Sequence, residues 1–135
     1  MFQLDSRLEK SSFKIADLSL SEIRLKDNAY FPWVILVPRV LSSITEIFQL
    51  PIEEQKILMD EITTLSSCIH SHFKPTKINI GALGNIVSQL HIHVVGRFKH
   101  DPCWPQSVWQ ENAPEKSYPT DTRDQLVHQL RSLLS

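Results

Sequence analysis

The chain has 135 residues, 41% hydrophobic and 21% charged, a balance that excludes disorder, a collagen-like repeat and a coiled coil and suits one domain over 1–135. Fourteen Lys and Arg oppose fifteen Asp and Glu with neither sign in a long run, so the electropositive face of a dedicated nucleic-acid partner is absent, and an anionic ligand must be met by local donors. Cys68 and Cys103 lie in no CxxC pattern, no apolar stretch approaches the roughly 20 residues of a membrane span, and no small-residue cleavage site follows the charged start; the expectation is a cytoplasmic protein with no membrane partner.

Phe13 to Asp27 alternates apolar and polar residues, the pattern of half-exposed antiparallel strands, and the first thirty residues read as a meander. Asp27 to Pro32 gathers turn formers, after which Trp33-Val34-Ile35-Leu36-Val37 reads as a buried strand closed by Pro38. Beyond Pro51, with Glu53 and Glu54 at the positive end of a helix dipole, Leu58, Ile62, Leu65 and Ile69 recur at helical spacing, which predicts one long amphipathic helix ending before Pro75. Lys77 to Ile80 is a short predicted strand, 81 to 87 a glycine-containing loop, and Ser88 to Phe98 a long predicted strand. The proline-rich segment from Asp101 to Tyr118 carries Trp104 and Trp109, which either pin it to the body or stack on a base, and Leu126, Leu130 and Leu133 mark a terminal helix of about four turns. The sum is an α+β fold: a mainly antiparallel sheet of about five strands, the long helix on one face and the C-terminal helix closing an end.

The chemistry concentrates between residues 79 and 97. On an extended strand Gln89, His91 and His93 share one side, while Leu90, Ile92 and Val94 share the other, which a covering helix would bury. The chain has three glycines where average usage of about 7% would give roughly nine, and two of them, Gly81 and Gly84, directly precede the histidines. Asn79 to Asn85 therefore reads as a loop whose amides can be aimed at an anion. His70 and His72, two apart on a helix, do not face each other, and His128 reads as a surface residue; a metal on His91 and His93 would need a third ligand, for which Gln89 is poor and His100 distant. Arg97 could reach a phosphate or pair with a carboxylate.

Asn79, Gly81, Gly84 and Asn85, followed by Gln89-Leu90-His91-Ile92-His93-Val94-Val95 and Gly96-Arg97, resemble the histidine-triad family, whose signature is His-φ-His-φ-His-φφ on a strand after an Asn-x-Gly-x-x-Gly-Gln loop. The resemblance extends over roughly residues 20 to 98 and is nearest to the bacterial branch described as diadenosine-tetraphosphate-hydrolase-like. It implies a nucleotide hydrolase or transferase in which His91 attacks the α-phosphorus of a nucleoside phosphate, of the dinucleoside polyphosphate or phosphoramidate type, and water cleaves the nucleotidyl-His91. The phosphate-binding or orienting residues would be Gln89, His93, Asn85, Asn79 and Gly84; Asp27 and Asn28 would meet the ribose. No cofactor or metal is implied, and a homodimer is. Gln89 stands where the family has its first histidine; its amide can hydrogen-bond but cannot transfer a proton, which leaves open a nucleotide-binding or regulatory protein of weak turnover. A small metalloprotein using His91 and His93 is the third reading.

Overall fold

The computed structural model describes residues 1–135 and contains three helices, α1 (Ser6–Ser11), α2 (Ile52–Phe73) and α3 (Thr120–Leu134), and five strands, β1 (Ser12–Asp17), β2 (Ser21–Lys26), β3 (Trp33–Pro38), β4 (Lys77–Gly81) and β5 (Ile92–Arg97). The strands form one antiparallel sheet in the order β1-β2-β3-β5-β4. This is the expected α+β architecture. No helix is long and apolar enough to cross a membrane.

Alternation along the central strands divides the interior between the two sheet faces. Ile23 and Leu25 of β2, Val34 and Leu36 of β3, and Ile92 and Val94 of β5 meet Leu58, Ile62, Leu65 and Ile69 of α2 in one cluster, joined by Leu90 and by Leu130 of α3. All four residues of the predicted helical stripe are thus core. Each such side chain, taken fully out of water, contributes roughly 1.5–3 kcal/mol. Glu61 rides on the same stripe, and its carboxylate accepts the amides of Leu20 and Ser21 at 2.8 and 3.1 Å, fastening the β1–β2 turn to the helix. α2 ends at Lys74, in left-handed conformation, and Pro75 cannot continue it.

The opposite face carries Trp33, Ile35 and Val37 with Val95, packed against Leu8, Phe31, Cys103 and Val108. Its cover is α1, an element the alternating pattern does not announce because six residues hold less than two turns of periodicity. Asp5 caps α1 by accepting the Arg7 amide. Leu8 is driven onto the sheet, and the face of β2 expected to be half-exposed is buried beneath it: Arg24 pairs with Glu22 at 2.6 Å and donates to the Ser12 hydroxyl at 2.7 Å.

Three other expectations shift. β5 begins at Ile92, so Gln89, Leu90 and His91 approach it as irregular chain; Leu90 N bonds to Ile44 O at 3.3 Å, and β3 pairing starts only at Ile92 with Leu36. Leu133 is solvent-exposed, while Leu126 and Val127 take part in the contact of α3 with the core. The Asp101–Tyr118 segment is ordered as expected, and Arg97 holds it: its buried guanidinium grips both oxygens of Asp101 at 2.9 and 3.1 Å and donates to Gln106 O at 2.8 Å.

Candidate active site

His91 and His93 come together as expected, ring centroids 4.9 Å apart. His93 faces the cleft from β5 opposite Ile35 of β3, and His91 enters from the irregular chain just before the strand. Both are buried, yet both line a cleft of about 550 Å³ whose walls include Trp33, Ile35, Leu8 and Trp109 and whose rim carries Arg7, Lys26 and Asn85. A second recess of about 280 Å³, bounded by Thr45, Glu46, Ile47, Phe48, Ala82 and Leu90, shares Leu83, Gly84 and His91 with the cleft. His91 therefore stands where the two spaces meet.

The two imidazoles hold opposite tautomers. His91 Nδ1 lies 2.7 Å from the backbone carbonyl of Gln89, and since a carbonyl only accepts, Nδ1 carries a proton and the lone pair of the neutral ring falls on Nε2. His93 Nδ1 lies 2.9 Å from the indole nitrogen of Trp33, and since an indole N–H only donates, Nδ1 is the acceptor and the proton sits on Nε2. Trp33 and Trp109 both meet the His93 ring edge-on, at 5.7 and 5.6 Å between centroids. Burial first, then the neighbouring His91 and Lys26, pushes the His93 ring down to about 3, so it is neutral near pH 7. The site thus presents one imidazole with a free lone pair beside one that offers only an N–H.

The glycine loop lies against this pair. Gly84 adopts φ +74°, a conformation that a side chain would strain, and neither its amide nor that of Asn85 donates to another group of the chain. Asn85 is exposed at the cleft. A Cβ on Gly81 would stand 3.0 Å from Leu83 and 3.1 Å from the ring of Trp109, so the missing side chain gives this indole room to close the cleft.

Three expected site residues, Asn79, Asp27 and Asn28, are engaged elsewhere, while Gln89 lines the recess beside His91 and orients it. Asn79, on β4, accepts from Arg97 at 2.9 Å and belongs to the Arg97–Asp101 anchor, so it does not line the cleft. Arg97 pairs with carboxylate and not with an open phosphate site. Asp27 accepts the Tyr118 amide at 2.9 Å, and buried Asn28 accepts the Tyr30 amide at 3.1 Å; both hold turn and loop together, and neither lines the cleft. The Gln89 side chain accepts the Asp5 amide at 2.9 Å and donates to Gln3 O at 2.8 Å, so its amide anchors the N-terminal segment while its carbonyl orients His91.

Residues not expected here take their places: Arg7 and Ser11 from α1, Lys26 at the end of β2, and Glu115. Arg7 reaches across to donate to Ile86 O at 3.0 Å, and Lys26 lies 5.8 Å over the Trp33 ring. Trp104 pins the loop by stacking on Arg97 at 5.8 Å, whereas Trp109 lines the cleft, its buried indole nitrogen without a partner in the chain. His91 and His93 find no third ligating neighbour; no group of three or more His, Cys, Asp or Glu converges anywhere in the chain.

A five-stranded antiparallel sheet bearing paired imidazoles beside a glycine loop defines the histidine-triad class of protein. A HIT domain is matched over residues 7–100, and the chain belongs to that family. It is similar over nearly its whole length to histidine triad proteins of known structure. That of Marinobacter aquaeolei VT8 is 40% identical, with 99% of this chain and 96% of that one covered and a TM-score of 0.94. The corresponding values are 37%, 97%, 96% and 0.92 for the Sinorhizobium meliloti 1021 protein, and 34%, 99%, 98% and 0.94 for that of Bradyrhizobium japonicum. No curated protein matches the chain.

Proposed function

We propose that the chain is a nucleotide hydrolase or nucleotidyl transferase of the histidine-triad type, working through His91. The observation that carries this reading is the His91 Nδ1 bond to Gln89 O, which puts the lone pair of the neutral ring on Nε2, in a residue that lines both cleft and recess. In the proposed cycle Nε2 attacks the α-phosphorus of a nucleoside phosphate, the leaving group departs, and water then releases the nucleotide from His91. The nucleoside lies in the cleft, its base between the apolar walls and Trp109; the phosphoryl oxygens meet His93 Nε2–H, the Gly84 and Asn85 amides and Arg7. This assignment replaces Asn79, Asp27 and Asn28 with groups that line the cleft. The diadenosine-tetraphosphate-hydrolase-like branch is part of this reading and rests on the resemblance over roughly residues 20 to 98, with Gln89 at the first triad position.

A nucleotide-binding protein of weak turnover is the second reading, favoured by Gln89, whose amide is spent on Gln3 and Asp5. Incubation with α-labelled nucleotide and a denaturing quench separates the two. The covalent mechanism requires acid-labile, base-stable label on the protein that is lost in His91→Ala; turnover without such label refutes it. A two-fold dimer is also proposed, supported by the open edge of β4, where Ile80 is half exposed, and sedimentation velocity tests it.

A further inference from the structure

Six rings from separate parts of the chain converge away from the two cleft histidines. Tyr30 and Phe31 come from the turn between β2 and β3, Phe73 from the last residue of α2, Phe98 and His100 from the exit of β5, and Tyr118 from the approach to α3. Together they line a cavity of about 410 Å³, within the roughly 300–1,000 Å³ of small-molecule sites. It shares no lining residue with the cleft or the recess.

The lining offers no free charge. No Lys or Arg takes part in it, so a phosphate or carboxylate finds no cation there, and its one charged residue is Asp101. Asp101 Oδ2 accepts from Arg97 Nε and the Phe98 amide, and Oδ1 accepts from Arg97 Nη2 and the amides of Cys103 and Trp104, all between 2.8 and 3.1 Å. That carboxylate is enclosed and saturated, which leaves it no capacity for a bound cation. Burial, and then the Asp27 carboxylate, pushes the Tyr118 phenol up to about 12, and its hydroxyl donates to Phe31 O at 3.4 Å, so this wall is a neutral ring. His100 lies over Phe98, centroids 5.1 Å apart and planes tilted by 34°. Tyr30 and His100 are exposed, and they bring a hydroxyl and a ring nitrogen to the mouth.

We infer that this cavity is a second ligand site, which binds an uncharged planar heteroaromatic molecule of one or two fused rings between the two ends of the 101–118 segment. Flat rings meet aromatic walls edge-on or offset, a contact that an aliphatic molecule of equal area does not gain. The polar edge of the ligand faces the Tyr30 hydroxyl and the His100 imidazole. Asp101 and Pro102 line the cavity from one end of the segment and Tyr118 from the other, so a bound ring bridges them. The middle of the same segment carries Trp109 and Glu115 to the cleft. Occupancy therefore holds the segment in place by mass action, whatever reaction the cleft performs.

The test titrates the methyl-labelled protein at pH 8 with benzimidazole, which is uncharged there, and follows Ala29 and Leu126 in the cavity against Ile35, Leu83 and Val87 in the cleft. The same titration with benzimidazole-5-carboxylate, benzyltrimethylammonium and cyclohexylmethanol supplies the anionic, cationic and aliphatic comparisons. Benzimidazole is expected to move Ala29 and Leu126 and to bind about tenfold more tightly than each of the three. Tyr30→Ala and His100→Ala, both at exposed positions, should each weaken it several-fold, and amide exchange over residues 101–118 should slow when it is bound. Shifts confined to the cleft methyls overturn the inference, as does equal or tighter binding of the cation, the anion or the aliphatic alcohol. An affinity that neither variant moves, or exchange that the probe leaves unchanged, overturns it too. If Ala29 and Leu126 shift on dilution without any probe, the cavity is a contact between copies of the chain and the inference falls. None of these readouts uses turnover, so their failure leaves the His91 reading untouched, and loss of that reading leaves them standing.

Discussion

Acidification should expose the cost of keeping His93 neutral. In the folded chain the ring is pushed down to about 3 by burial and then by His91 and Lys26, while in the unfolded chain it titrates at the ordinary histidine value of about 6.5. Between those values the unfolded state binds the extra proton, so the stability associated with a neutral His93 is complete above about pH 7 and is lost as pH falls toward 3. At pH 5 the unfolded ring is about thirtyfold more protonated than neutral, and at 1.36 kcal/mol per pKa unit the chain loses roughly 2 kcal/mol relative to pH 8. The figure hardly depends on the folded value, because a ring titrating a unit higher would still be mostly neutral at pH 5. Urea unfolding of the wild type and His93→Gln at both pH values measures it: the wild type should lose about 2 kcal/mol more than the variant between pH 8 and pH 5. Equal losses would refute both the neutral state and the Trp33 hydrogen bond that holds it. Nitrogen-15 spectra of labelled histidine give an independent check, with the proton expected on Nδ1 of His91 and on Nε2 of His93.

Arg97→Met leaves Asp101 buried without its cation, and should cost about 3–5 kcal/mol in urea unfolding and open the 101–118 segment to protease; a loss under 1 kcal/mol would show that the pair is dispensable. Gln89→Leu removes the amide bonds to Gln3 and Asp5, so a loss of roughly 1–3 kcal/mol is expected, with faster amide exchange over residues 3–11. Unchanged exchange there would refute the anchoring role. Gly96→Ala places a Cβ 2.7 Å from the Pro32 ring between β3 and α2, and should destabilise by about 1–3 kcal/mol; wild-type stability would mean that Pro32 yields freely.

Legibility followed the length over which a pattern could repeat. The stripe of α2 from Leu58 to Ile69 repeats over about three turns, so Leu58, Ile62, Leu65 and Ile69 are readable without ambiguity, and the unbroken apolar run of β3 identifies a buried strand. The shared side of His91 and His93 followed from spacing alone. What stayed hidden depends on partners distant in sequence. Nothing local distinguishes Asp27 and Asn28 as loop fasteners from ribose ligands, because both tasks use the same oxygens, and only the approach of Tyr118 and the turn at Tyr30 decides. The family resemblance points Asn79 at phosphate, whereas its carbonyl serves Arg97, eighteen residues further on, a pairing that leaves no mark on the sequence. The burial of Glu22 and Arg24 was invisible for the same reason: their cover, α1, is too short to read as a helix.

The segment from Gln3 to Ser11 adds no strand to the sheet, yet it walls the cleft through Arg7, Leu8 and Ser11 and is fastened to Gln89 and Ile86. Handling of the protein should respect that wall. A tag joined close to Gln3 would crowd the cleft wall, whereas one joined at the end of α3 adjoins the opposite sheet face. A lone proteolytic nick near Arg7 would loosen that wall while leaving the bulk fold, as seen by circular dichroism, almost untouched.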